Sequence, residues 1–230
     1  MATGGPIPTT TGTAMPTDPA ALLTLTQWLS PAYPVGAFSY SHGLEWAVQD
    51  GTVHDAASFQ DWLCQVLTHG SGRNDAILLA AAWAADTDDA LRGIDDLARA
   101  LAPSRERALE TEAQGAAFAR TTSDIWPAAL PDLCYPVAVG AAARAMDLPL
   151  QDTLLMYLHG FAGNLTSAAI RLVPLGQTEG QAALAALSSL CAEIACDAIT
   201  STLDDLGSCT FAADIASMKH ETQYSRLFRS

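Results

Sequence analysis

Lysine is almost missing from this sequence: Lys219 is the only one in 230 residues. Lys and Arg together number 11 against 25 acidic side chains, a formal charge of −14. A surface this acidic repels nucleic acid, whose binding depends on basic side chains neutralising phosphates. It suits a metal cation or a basic partner protein, or simply keeps the chain in solution. The shortage also removes the P-loop, which needs a Gly-Lys-Ser/Thr ending so that amides and a lysine can hold phosphates. Nucleotide hydrolysis by this chain is therefore not expected.

Cysteine is sparse and unpaired. Cys64, Cys134, Cys191, Cys196 and Cys209 are odd in number and scattered through apolar surroundings. That pattern reads as reduced core thiols rather than a disulfide framework. There is no Cys-x-x-Cys, and Cys191 and Cys196 would point in different directions on a helix. His220-Glu221 opens a His-Glu-x-x-His pattern that Tyr224 breaks, so no metal site is expected. No Gly-x-Ser-x-Gly elbow surrounds a serine, which leaves a serine hydrolase without local support. Residues 1–17 have no basic n-region and no apolar h-region, so they are not a signal peptide and read as a disordered tail. The longest apolar run, residues 76–85, is too short to span a bilayer. A soluble, cytoplasmic protein is the expectation, without nucleic-acid or membrane partners. Runs of β-branched residues are scarce, while hydrophobic residues make up 50% of the chain and Ala and Leu abound. This composition predicts an all-α fold, a single globular bundle.

What is present has helical period. Asp18-Pro19 is a helix start, a capping side chain before a proline at the first helical position. That helix ends near Leu29, because the prolines at 31 and 34 cannot continue it. A loop then carries Phe38 and Tyr40 into a second helix ending near Gly51. Asp55 caps a third, with Phe59, Trp62, Leu63, Val66 and Leu67 on one face. Asp75 opens a very apolar helix through Trp83. Leu91, Ile94, Leu97, Ala98 and Leu101 repeat the period, and Ser104 caps a long helix to about Thr122. Pro127, Pro131 and Pro136 mark a connecting loop. Helices are predicted over 137–146, 151–172, 179–203 and 211–218, roughly nine or ten in all. Residues 18–218 form the helical domain, preceded by the tail 1–17 and followed by a C-terminal segment, 219–230.

Two stretches stand out. Residues 30–46 place Pro34, Gly36, Phe38, Ser39, Tyr40 and Gly43 between helices. Aromatics and glycines on a loop either build a binding surface or plug the end of a helical core. His42 and Glu45, three apart, would share a helix face, either as a surface pair or as a general-base pair. His159, among Leu155, Tyr157 and Phe161, reads as a core histidine. The C-terminal segment holds Lys219, Arg226 and Arg229 in an otherwise acidic chain. If it is helical, Tyr224, Leu227 and Phe228 share a face. Tyr and Arg often anchor interfaces, so this is an adhesive tail or one docked on its own acidic body.

Residues 29–45, Leu-Ser-Pro-Ala-Tyr-Pro-Val-Gly-Ala-Phe-Ser-Tyr-Ser-His-Gly-Leu-Glu, resemble the opening motif of the UreF family of urease accessory proteins. Residues 171–178, Arg-Leu-Val-Pro-Leu-Gly-Gln-Thr, resemble its central segment. Residues 218–221, Met-Lys-His-Glu, and 223–230, Gln-Tyr-Ser-Arg-Leu-Phe-Arg-Ser, resemble its C-terminal motif. At Ala37 the family often has glycine. The resemblance implies an all-α homodimer with no catalysis and no cofactor of its own. It implies partners as well: a UreD-like (UreH-like) scaffold, the GTPase UreG, whose activity it would regulate, and urease apoprotein awaiting nickel. Residue by residue, it carries contact with the UreD-like partner onto Tyr224, Arg226, Leu227, Phe228, Arg229 and Ser230, and a UreG-facing role onto the region of His42 and Glu45. Two rival readings are an all-helical enzyme using His42 and Glu45, and a direct nickel carrier.

Overall fold

The computed structural model describes residues 18–230; the tail expected at residues 1–17 lies outside them. Among the described residues there are eleven α-helices, two 3₁₀ turns and no strand. Helix α1 is Pro19–Trp28, started by the Asp18 side chain, which accepts from Ala20 N at 3.1 Å. A 3₁₀ turn, Ala37–Ser39, precedes the short α2, Leu44–Gln49. Helix α3, Ala56–His69, opens with a capping box in which Asp55 and Ser58 satisfy each other's amides. Helix α4 is Ser71–Ala84, starting four residues earlier than the sequence suggests, directly behind Gly70.

Helix α5, Asp88–Ala100, carries acids in its first turn and Arg99 in its last, each at the favourable end of the helix dipole. Helix α6 is Arg105–Ile125, α7 Tyr135–Ala145 and α8 Leu150–Leu172. The single helix predicted over 179–203 is two, α9 (Gln177–Ala186) and α10 (Ser188–Thr200), broken at Leu187, followed by a 3₁₀ turn at Leu203–Asp205. Helix α11 is Phe211–His220. The stretch Gln177–Thr200 is apolar enough by composition to cross a membrane, with mean hydropathy 1.6. Its Ala183, Leu184, Leu187, Cys191, Ile194 and Ala195 are instead buried, as in a core helix.

Helices α4 and α7 form the centre and pack most extensively on each other. Their close approach depends on Gly140, where an added Cβ would lie 2.3 Å from the Leu79 carbonyl oxygen. An aromatic cluster closes one end: Trp28 meets Phe118 and Trp126 edge-on, at centroid distances of 5.4 and 5.5 Å. The Tyr33 hydroxyl reaches Thr122 Oγ1 at 2.9 Å. Cys134 and Cys191 are buried, but Cys196 and Cys209 are exposed, so the reading of all five as core thiols is corrected. His159 is also exposed rather than core, because it falls on the outward face of α8.

Ser104 does two jobs. Its Oγ accepts from Arg107 N at 3.1 Å and pairs with Ser217 Oγ of α11 at 2.6 Å. Ser104→Ala is expected to lower unfolding free energy by about 1–2 kcal/mol, read by urea titration. A change of a few tenths would show that neither bond matters.

Candidate functional site

The two motif stretches, far apart in sequence, meet in one place. Gly36, with φ of 74°, turns the chain into the 3₁₀ turn. His42 and Gly43 follow in consecutive left-handed conformations, φ 58° and 77°. Gly43 is required by contact as well as by dihedral, since a Cβ there would stand 2.6 Å from Ser217 N and 2.8 Å from Ser217 Cα. The loop is thereby pressed against α11, and α11 delivers residues 221–230 back over the loop.

Those last residues are not helical; they run as turns and bends. Arg229 N donates to the Ser39 carbonyl at 2.8 Å, and Ser41 N donates to the main-chain oxygen of Ser230 at 2.8 Å. Glu45 grips the same stretch: its carboxylate accepts from Leu227 N at 2.7 Å and from Phe228 N at 2.9 Å. Arg226 Nη1 pairs with Glu106 at 2.5 Å, and Ser230 Oγ donates to Glu110 at 2.6 Å. Phe228 is 4% exposed, with the Arg171 guanidinium 4.4 Å over its ring. The tail is docked on its own acidic body. Tyr224 is fully exposed and Leu227 is 57% exposed. Tyr224, Leu227 and Phe228 therefore do not share a face; the non-helical backbone turns Phe228 inward and leaves the other two outside. The side chains of Phe228 and Ser230 are anchors within the chain in this conformation.

His42 and Glu45 are neither a surface pair nor a general-base pair. Both are largely buried, and the left-handed backbone at 42 and 43 takes them off any common helix face. His42 Nδ1 meets Arg107 Nη1 at 2.9 Å and Glu110 at 3.2 Å. Its Nε2 has no hydrogen-bond partner among the described residues, and its ring stands edge-on to Phe161 at 4.8 Å. Burial and the Arg107 guanidinium push the His42 ring below its ordinary pKa, against the pull of Glu110. For Glu110, burial works upward, but Arg107 and His42 carry the carboxyl well below the usual range. Of the other loop residues, Tyr40 is buried, Pro34 is exposed and Phe38 is 72% exposed.

Sequence reasoning missed Glu106, Arg107, Glu110 and His220. His220 is fully buried at the end of α11, its Nδ1 2.6 Å from Glu106 and its Nε2 3.3 Å from Glu45. Its only sequence signals were the failed His-Glu-x-x-His pattern and its place in the C-terminal motif. Among the described residues, no group of three or more His, Cys, Asp or Glu is placed to hold a metal ion.

Beneath the loop lies a small cleft of about 50 Å³, lined among others by Tyr40, His42, Asp75, Arg107, Tyr135 and Tyr157. The Tyr157 hydroxyl donates to Asp75 Oδ2 at 2.9 Å. Burial pushes the Asp75 carboxyl up to about 6, against the pull of Arg107 and Tyr157. The folded chain thus keeps this proton up to about pH 6, whereas the unfolded chain releases it near 3.8. Between those values the native state binds more protons, so stability falls as pH rises and the loss persists above about pH 6. Asp75→Asn keeps an acceptor for Tyr157 and removes this cost. It is expected to stabilise by roughly 2–3 kcal/mol at about pH 8 and by little at about pH 4. Equal effects at both pH values in thermal melts would contradict the assignment.

The chain matches the family model described as UreF over residues 53–188. Three curated relatives bear the name urease accessory protein UreF. The one from Roseobacter denitrificans is 56% identical over 216 residues, 94% of this chain and 96% of its own length. That from Cereibacter sphaeroides is 56% identical over 92% of this chain and 99% of its own. That from Rhodopseudomonas palustris is 52% identical over 92% and 94%.

Proposed function

The chain belongs to the UreF family of urease accessory proteins, and on that premise we propose that it is a cytoplasmic adaptor for loading nickel into urease. Its role is accessory rather than catalytic, as the names of its relatives have it. In this reading it binds a UreD-like (UreH-like) scaffold and recruits and regulates the GTPase UreG on urease apoprotein. Nickel is cargo of the assembly.

The supporting observation is the joining of the two motifs into one edge, with residues 227–230 laid along residues 39–45. A segment already ordered loses less entropy on binding than a free tail. Tyr224, Arg226, Leu227 and Arg229 form the outward part facing the UreD-like partner, while Phe228 and Ser230 hold the segment in place from inside. The UreG-facing role stays with the loop around His42 and Glu45, through its exposed Phe38 rather than those two side chains. The outward faces of α8 and α10 bring Leu155, Ala192, Cys196 and Ile199 to the surface, beside the exposed Glu193 and Asp197. We assign the two-fold contact of a homodimer to this face.

Co-expression with UreD-like and UreG-like partners, followed by size exclusion with light scattering, tests the reading. The expected result is one complex with two copies of this chain. Separate elution of this chain as a monomer contradicts it. Purified alone, the protein should leave GTP intact, and it should bind no nickel stoichiometrically in equilibrium dialysis; tight stoichiometric binding would favour a direct carrier.

A further inference from the structure

The docked segment is held by three carboxylates, Glu45, Glu106 and Glu110, and each grips a different part of it. Glu110 has its own cation, Arg107 one turn away on α6. Glu106 has Arg226. Among the described residues, Glu45 has no arginine or lysine within ion-pair distance; the ring of His220 lies against it instead. That ring is sealed from solvent and touches two of the three carboxylates, Nδ1 to Glu106 and Nε2 to Glu45. The ring therefore bridges the two carboxylates, one nitrogen on each, and is, among the described residues, the one side chain that touches both.

We propose that His220 is the positioning residue of the partner-facing edge: it fixes the Glu45 and Glu106 carboxylates in the orientations that clamp the Leu227–Phe228 main chain and the Arg226 side chain. The inference rests on the reading of residues 224–230 as that edge. Glu45 Oε2 is shared between His220 Nε2 and Phe228 N, so the ring and the segment fix one rotamer together. Glu106 likewise splits its oxygens, Oε2 to His220 and Oε1 to Arg226. Without the ring, Glu45 and Glu106 lose the one side chain that touches both, and only Glu106 keeps a partner of opposite charge, Arg226. Helix α11 itself would remain seated, because Ser104–Ser217 and the Gly43 contact lie on its preceding turn.

The test is His220→Gln in the full chain, with two readouts: amide hydrogen exchange, and affinity for a purified UreD-like partner. Exchange at Leu227, Phe228 and Arg229 should accelerate about tenfold or more, while that of the α4 core amides around Leu79 stays as in the wild type. Affinity should fall about tenfold. Arg226→Ala should cause a similar fall, and the double variant should lose little more than either single one, because both act through Glu106. Additive losses, or acceleration spread evenly over α4, would mean a merely structural histidine and overturn the proposal. If His220→Gln does not fold, Glu106→Gln removes one partner of the ring at a side chain 12% exposed and must give the same selective release. Wild-type protection of 227–229 in that variant overturns the proposal too. Should a chain lacking residues 224–230 still bind the partner fully, the partner reading fails. Exchange at Leu227 and Phe228 then still decides the role of His220.

Discussion

Alanine at Gly115 is expected to cost about 4 kcal/mol or more, most of the stability of an ordinary domain. A Cβ there would lie 1.8 Å from the Leu133 carbonyl oxygen and 2.8 Å from Tyr135 N. The obstructing backbone has no room to yield. Cys134 N donates to Asp95 Oδ1 at 2.6 Å and Tyr135 N to Thr111 Oγ1 at 3.2 Å, which tie residues 133–135 to α5 and α6. Gly140→Ala, against the Leu79 carbonyl, is expected to be comparably severe. Gly93 is the control: it lies mid-helix in α5, and a Cβ added there would meet nothing within 4 Å. Gly93→Ala should stabilise by up to about 1 kcal/mol through helix propensity. Denaturant titration separates the three. A loss below about 1 kcal/mol at Gly115 would mean that α6 and α7 are not in contact as described.

Glu45→Ala is the second large effect. The side chain is 9% exposed and accepts three hydrogen bonds, two from main-chain amides of the docked segment. Its removal leaves those amides and a buried ring nitrogen without an acceptor, an expected loss of about 3–5 kcal/mol. Glu45→Gln retains an acceptor for one side only and should fall between. A Glu45→Ala variant within about 1 kcal/mol of the wild type in urea titration would show that the segment is not clamped there.

The fold was legible wherever local chemistry decides it. Asp18-Pro19, Asp55 and Ser104 are caps that announce themselves, and the α3 stripe has one clear period. The break at Leu187 was not legible, because neither Gly nor Pro marks it and each half of 177–200 is a good helix on its own. The site was legible as two motifs but not as one object. His42 and Glu45 were read in the wrong relation, since helical spacing does not foresee two successive left-handed residues. His220 was legible only as part of the C-terminal motif, and Glu106 and Glu110 carried no signal, because their contacts with the tail span more than a hundred residues and only the return of α11 over the loop makes them. Composition left an interface tail and a self-docked tail both open. The structure has the tail docked, with Phe228 and Ser230 buried and residues 224–227 and 229 exposed.

Capture of a purified UreD-like partner by the wild type and by a chain lacking residues 224–230 tests the adaptor reading most directly. Circular dichroism of both chains serves as the check on folding. The expected result is a helical spectrum in both and an affinity at least about thirtyfold weaker in the shortened chain. Undiminished capture by the shortened, folded chain would contradict it.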